Sequence, residues 1–158
     1  MTENGLRLAS REIADRAAGV LLASACGDAL GAGYEFDPPE RIPANVGMVG
    51  GGPFGWEPGE WTDDTSMAWV IAEIAASGVD LRDEQAQDQI AAGWYAWTRE
   101  AKDVGAQTRT VLTRAATGSE VPTAEALRRQ AAEHHKRAGM SGGNGSLMRT
   151  APVALAYL

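Results

Sequence analysis

Trp61-Thr62-Asp63-Asp64-Thr65-Ser66-Met67 sets two adjacent carboxylates between two threonines, directly after the turn-rich run 50–59. Apolar residues then recur at Met67, Val70, Ile71 and Ile74, the i, i+3, i+4, i+7 spacing of one helix face. Thr62 therefore reads as an N-cap, with Asp63 and Asp64 in the first helical turn. Two accounts of the acidic pair stay open at this point. Carboxylates favour the positive end of a helix dipole, so the pair can be a plain start signal. Alternatively, hydroxyl and carboxylate oxygens packed this closely suit a hard cation such as Mg²⁺ or Ca²⁺. The dipole opposes a cation there, and two carboxylates would have to outweigh it.

Working outward, the same helical period recurs along the chain and no segment shows the period-2 alternation of a strand. This predicts an all-α fold with no sheet. Helices are expected near 10–27, 63–77, 83–99, 106–117, 123–138 and 146–158. Residues 1–9 read as a flexible tail, and 10–158 as one domain portion. In the first helix, Ile13, Ala17, Val20, Leu21 and Ser24 share a face of small and apolar residues. In the third, Ile90, Trp94 and Trp97 do so, and in the fifth Leu127 and Ala131 are expected inward. Between the first two helices, the Pro- and Gly-rich stretch 32–60 reads as loop, long enough to be functional or mobile. The last run, 146–158, has a helical period that kinks or starts near Pro152. Its apolar end, Val153, Leu155, Tyr157 and Leu158, covers more than one face, as in a buried helix cut short.

The chain has 158 residues, 44% hydrophobic and 22% charged, which is globular composition sufficient for one ordinary core. Its formal net charge of −7 argues against a nucleic-acid or anionic-membrane binder. The cluster Arg128, Arg129, Lys136 and Arg137 reads as a solvated helix face. The single cysteine, Cys26, excludes an intrachain disulfide. With no signal-peptide pattern and no long apolar run, a cytoplasmic location is the default expectation.

Further constellations bear on chemistry. Gly27-Asp28-Ala29-Leu30-Gly31 reads either as a helix C-terminus using left-handed glycine or as backbone brought close to a ligand anchored by Asp28. Glu35 is a lone carboxylate among Tyr34 and Phe36. Most such residues reach solvent, but in a closed cleft it would suit acid–base work. Ser141-Gly142-Gly143-Asn144-Gly145 before a helix resembles an anion-cradling turn, though it is no Walker A loop. Asn144 could equally occupy a left-handed turn position. His134 and His135 read as a solvated pair, and Trp94 and Trp97 as core.

In this order, Gly27–Gly31, Tyr34-Glu35, Trp61–Met67, Asp103-Val104-Gly105 and Gly143–Arg149 resemble the ADP-ribosylglycohydrolases, the family of the dinitrogenase reductase-activating glycohydrolase and the ADP-ribosyl-acceptor hydrolases. The resemblance implies an orthogonal all-α bundle around a two-ion Mg²⁺ centre, with Mn²⁺ as the alternative. The implied reaction is hydrolysis of the bond between ADP-ribose and an acceptor on a protein or small molecule. Thr62, Asp63 and Asp64 would then be metal ligands, with Asp63 and Asp64 also catalytic. Glu35 would be the carboxylate near the scissile bond. Ser141, Gly143 and Asn144 would line the ADP-ribose pocket, with Asp28 as an anchor and Asp103 at the ribose end. Partners would be ADP-ribosylated proteins or small ADP-ribosyl compounds, with no nucleic acid and no membrane; the oligomeric state is not legible. The chain departs from the family in one respect. Members run to roughly twice this length and carry a second Asp-x-Asp-Thr motif that is absent after Arg149. The resemblance thus implies either the N-terminal part of a hydrolase or a non-catalytic, ADP-ribose-binding remnant.

Overall fold

The computed structural model describes the backbone of residues 3–118 and 121–158, and side chains from residue 11 onward within those spans. Among the described residues the fold is helical, with no strand beyond a single antiparallel bridge between Gly51 and Trp56. Six helices follow in order: α1 Glu3–Gly31, α2 Asp63–Ala76, α3 Glu84–Trp97, α4 Ala106–Ala115, α5 Ala124–Ala138 and α6 Ala151–Leu155. Two compact units divide the chain, Met1–Trp61 and Thr62–Leu158. No helix among the described residues is long and apolar enough to cross a membrane.

In the first unit, α1 is longer at both ends than its sequence signals suggest. It takes in residues 3–9, expected as tail, because nothing before Ser10 forbids helical backbone; Met1 and Thr2 lie outside the described residues. It also runs through Gly27 to Gly31. Neither of these two glycines adopts a positive φ, so neither serves as a left-handed cap. The following loop folds back on itself through glycine. A Cβ on Gly33 would lie 2.2 Å from the Gly50 carbonyl oxygen, a separation only glycine permits. Gly51 and Trp56 exchange backbone hydrogen bonds of 2.7 and 2.9 Å, and the rings of Phe36, Phe54 and Trp56 follow one another at 5.7 and 6.1 Å. Ile13, Val20 and Leu21 of the shared α1 face are exposed, as is Leu22 outside it.

In the second unit the period of α2 predicts its packing. Met67 and Ile71 are buried, and Val70 and Ile74 half-buried. Ile71, Leu81 and Ile90 form the core, with Val70, Ile74, Ala75 and Trp94 packed against it. Helices α2 and α3 cross closely, since a Cβ on Gly93 would come within 2.6 Å of Val70 Cγ1. Helix α5 docks on α3 by polar ties. The Asp88 carboxylate accepts from the Ala124 amide at 2.7 Å, and Arg128 donates to Glu84 and to Gln87, each at 2.6 Å. Only the N-terminal end of α5 sinks, at Ala124 and Ala126. Ala131 is exposed and Leu127 half-buried, so the expected inward pair is displaced toward the helix start. The run 146–158 is not one helix. A 3-10 turn at Asn144–Ser146 leads to the short α6, which begins where Pro152 fits the first helical turn. Its end is pinned by the Tyr157 hydroxyl, which donates to Asp80 at 2.7 Å, while Arg82 lies 5.5 Å from the Tyr157 ring centre.

Candidate functional site

Thr62 is the N-cap of α2, and its Oγ1 accepts from the Asp64 amide at 3.4 Å. Ser66 Oγ donates back to the Thr62 carbonyl at 2.8 Å and tightens the turn. A surface cap needs no shielding, but this one has it: Thr62, Asp63 and Thr65 are buried and Asp64 half-buried. Carboxylate and hydroxyl oxygens are thus concentrated on one shielded turn.

Within the second unit one distant segment reaches this turn, and a second meets the start of α4 beside it. A Cβ on Gly105 would stand 3.9 Å from Asp63 Oδ2 and 3.8 Å from Thr108 Oγ1. A Cβ on Gly145 would stand 3.4 Å from the same Thr108 oxygen, and one on Gly143 would stand 3.6 Å from Gln107 Oε1. The start of α4 therefore lies between the acidic turn and the glycine-rich loop, bringing together three motifs separated in sequence. Asp103 flanks this junction, half-buried. Burial raises its carboxyl above the ordinary aspartate range, and Arg109 opposes that rise.

The glycine-rich loop differs in two ways from the sequence expectation. Asn144 has no positive φ, so the left-handed turn account of it fails. No helix starts directly after it, only the 3-10 turn, so the loop lacks the helix-start amides of an anion cradle. Ser141 is half-buried and its Oγ lies 2.8 Å from Nδ1 of His135, which ties the loop to the end of α5. In the first unit, Asp28 is half-buried on α1, and its carbonyl accepts from the Ala32 amide at 2.8 Å. Glu35 is exposed in the turn that follows.

Sequence reasoning gave Arg149, the end of the Gly143–Arg149 motif, no role of its own. This half-buried guanidinium donates to Met67 Sδ at 3.3 Å and lies 4.3 Å from the centre of the Trp94 ring. The advance signals were its place at the end of the Gly143–Arg149 motif and a cation beside the apolar pair Leu147-Met148.

The oxygen donors of Thr62, Asp63 and Asp64 suit a hard cation in kind. In number they fall short, since no group of three or more His, Cys, Asp or Glu residues gathers among the described residues. A cation held here would keep water or take further ligands.

Residues 9–158 match the ADP-ribosylglycohydrolase family model. The ADP-ribosyl-[dinitrogen reductase] glycohydrolase of Rhodospirillum rubrum is 34% identical over 154 residues, covering 91% of this chain and 45% of that protein. The ADP-ribosylarginine hydrolase Tri1 of Serratia proteamaculans is 51% identical over 72 residues, 44% of this chain and 19% of that one. A solved ADP-ribosylglycohydrolase-related protein complex superposes with a TM-score of 0.62 at 34% identity, covering 93% of this chain and 44% of its counterpart. The chain thus spans less than half the length of these relatives.

Proposed function

Because the chain belongs to the ADP-ribosylglycohydrolase family, we propose that it forms the N-terminal portion of a metal-dependent hydrolase that releases ADP-ribose from an acceptor, with arginine-linked ADP-ribose as the first substrate to try. The observation behind this reading is the meeting of the acidic turn, the Asp103–Gly105 segment and the glycine-rich loop around Thr108. Thr62, Asp63 and Asp64 would hold Mg²⁺ as part of its shell, completed by ligands outside these three residues. A bound divalent cation would supply charge to orient ribose hydroxyls and a water.

The chain's own residues account for the rest. Cleavage at the anomeric carbon passes through an oxocarbenium-like state, and Asp63 and Asp64 would serve it by fixing the cation that orients the ribose and the water. Asp103, with its carboxyl raised by burial, can hold a proton nearer neutral pH than an exposed aspartate. Ser141, Gly143 and Asn144 would receive the nucleotide side; for Asp28 and Glu35, in the other unit, the family resemblance implies an anchor and a leaving-group role.

A chimera tests this reading: the present chain replacing the matching part of the Rhodospirillum rubrum enzyme. It should release ADP-ribose only when Mg²⁺ or Mn²⁺ is supplied. The 158-residue chain alone should bind the ion weakly and release none. A folded chimera that is silent would favour a binding-only remnant, and turnover in excess chelator would remove the metal from the proposal.

A further inference from the structure

The glycine-rich segment 141–149 has little apolar surface to hold it. Met140 before it is 76% exposed, and Leu147 within it 74%. Its inner hydrogen bonds are local: the Leu147 and Met148 amides both donate to the Asn144 carbonyl, at 2.8 and 3.3 Å. A side-chain tie stands at each end. At the first, Ser141 Oγ lies 2.8 Å from His135 Nδ1, where water competes. At the second, Arg149 donates to Met67 Sδ at 3.3 Å, and its guanidinium carbon lies 4.3 Å from the centre of the Trp94 ring. This second tie is half-buried, and a cation over an indole face gains strength as it is desolvated. Its seat is made without it. Met67 is fully buried and its carbonyl accepts from Trp94 Nε1 at 3.0 Å, joining α2 to α3. The guanidinium therefore adds little to that junction, and what it contributes goes to the segment that carries it.

We propose that Arg149 is the positioning residue of the glycine-rich loop. Seated on the Trp94 face and the Met67 sulfur, it fixes the far end of the loop on α2 and α3. It thereby sets how Gly143 and Gly145 lie along Gln107 and Thr108 at the start of α4. A planar cation suits this task, since it stacks on a ring and donates from its edge at the same time. The inference deepens the proposed function and rests on it in one respect, that Ser141, Gly143 and Asn144 receive the nucleotide. The anchoring itself is a property of the chain without metal or substrate.

Residue-resolved amide exchange on the 158-residue chain tests the anchor. Arg149→Met should speed exchange of the Leu147 and Met148 amides about tenfold, while the Ile71 and Ile90 amides of α2 and α3 stay within about twofold of wild type. Arg149→Lys keeps a cation near the ring and should hold loop exchange within about threefold. Unchanged loop exchange in Arg149→Met, equal acceleration in loop and core, or Arg149→Lys no better than Arg149→Met would overturn the assignment. So would an Arg149→Met chain that does not fold, because the guanidinium would then support the core and not one loop. In the chimera, Arg149→Met should raise KM about tenfold and leave kcat within about threefold. A fall in kcat at unchanged KM would overturn the assignment as well. A chimera silent with Arg149 in place, beside a loosened loop in Arg149→Met, would sink the proposed function and leave the anchor standing.

Discussion

In residues 62–158 five helices follow one another and Ile71 of α2, Ile90 of α3 and Leu81 between them form a core, whereas residues 3–61 hold one 29-residue helix and a glycine–proline loop in which Ala29, Ala32, Gly50 and Trp56 are buried. Both contribute candidate site residues, but in different settings. In the second unit the carboxylates are shielded: Asp63 is buried, and Asp64 and Asp103 are half-buried. In the first, Glu35 is exposed and Asp28 is half-buried on a helix whose large apolar residues face solvent. A motif's chemistry depends on what covers it. Where a packed core supports the motif, its charges are desolvated and act strongly. Where the support is a lone helix and a loop, water competes for the same groups.

The largest contrast is expected in turnover. In the chimera, Asp64→Ala should abolish measurable ADP-ribose release, a loss of about a thousandfold or more if the carboxylate helps to hold the cation. Glu35→Gln should lower kcat far more than ADP-ribose affinity. Unchanged release by Asp64→Ala, or equal loss of both parameters for Glu35→Gln, would break the division of roles. Stability sharpens the comparison next. Ile71→Ala in the core of the second unit should cost about 2–5 kcal/mol. Leu22→Ala, at a side chain 67% exposed, should fall within about 0.5 kcal/mol of zero. Similar costs at both positions in urea unfolding would mean that the α1 face is covered in solution.

The smallest effect concerns pH. Asp103 has its folded-state pKa raised by burial above the unfolded value, so its contribution to stability is complete below the unfolded aspartate range and is lost as pH rises through the folded pKa. Asp103→Asn should therefore be neutral in acid and mildly stabilising at neutral pH. Thermal melts that diverge in the opposite direction would show that Arg109 outweighs burial.

Much of the second unit was legible because its helices bury one stripe. Met67, Val70, Ile71 and Ile74 announce α2, and Thr62 announces its start. The chemistry of the acidic turn was legible as residue types, but its shielding was not, because the Gly105 segment that lies against Asp63 is distant in sequence and local patterns do not encode such contacts. The limits of α1 were misjudged because Gly27 and Gly31 look like stops, yet adopt ordinary helical backbone. The run 146–158 was overextended for the opposite reason. Apolar residues supply a helical period there, but Pro152 removes the amide that would continue the helix from Asn144 onward. Arg149 was given no role of its own because a lone arginine beside apolar residues carries no periodic signature.

The Asp88 carboxylate on the Ala124 amide has a consequence for the order in which the molecule assembles. Helix α5 is built of alanine and charged residues, with little apolar surface to hold it. Its first turn is tied to an acceptor supplied by α3, thirty-six residues earlier. Thr123 caps the Ala126 amide from within α5, but the Ala124 amide gains its acceptor only when α3 is in place. Amide exchange at Ala124 should accordingly follow the opening of α3 rather than local fraying of α5, making the two helices one cooperative unit on the time scale of exchange.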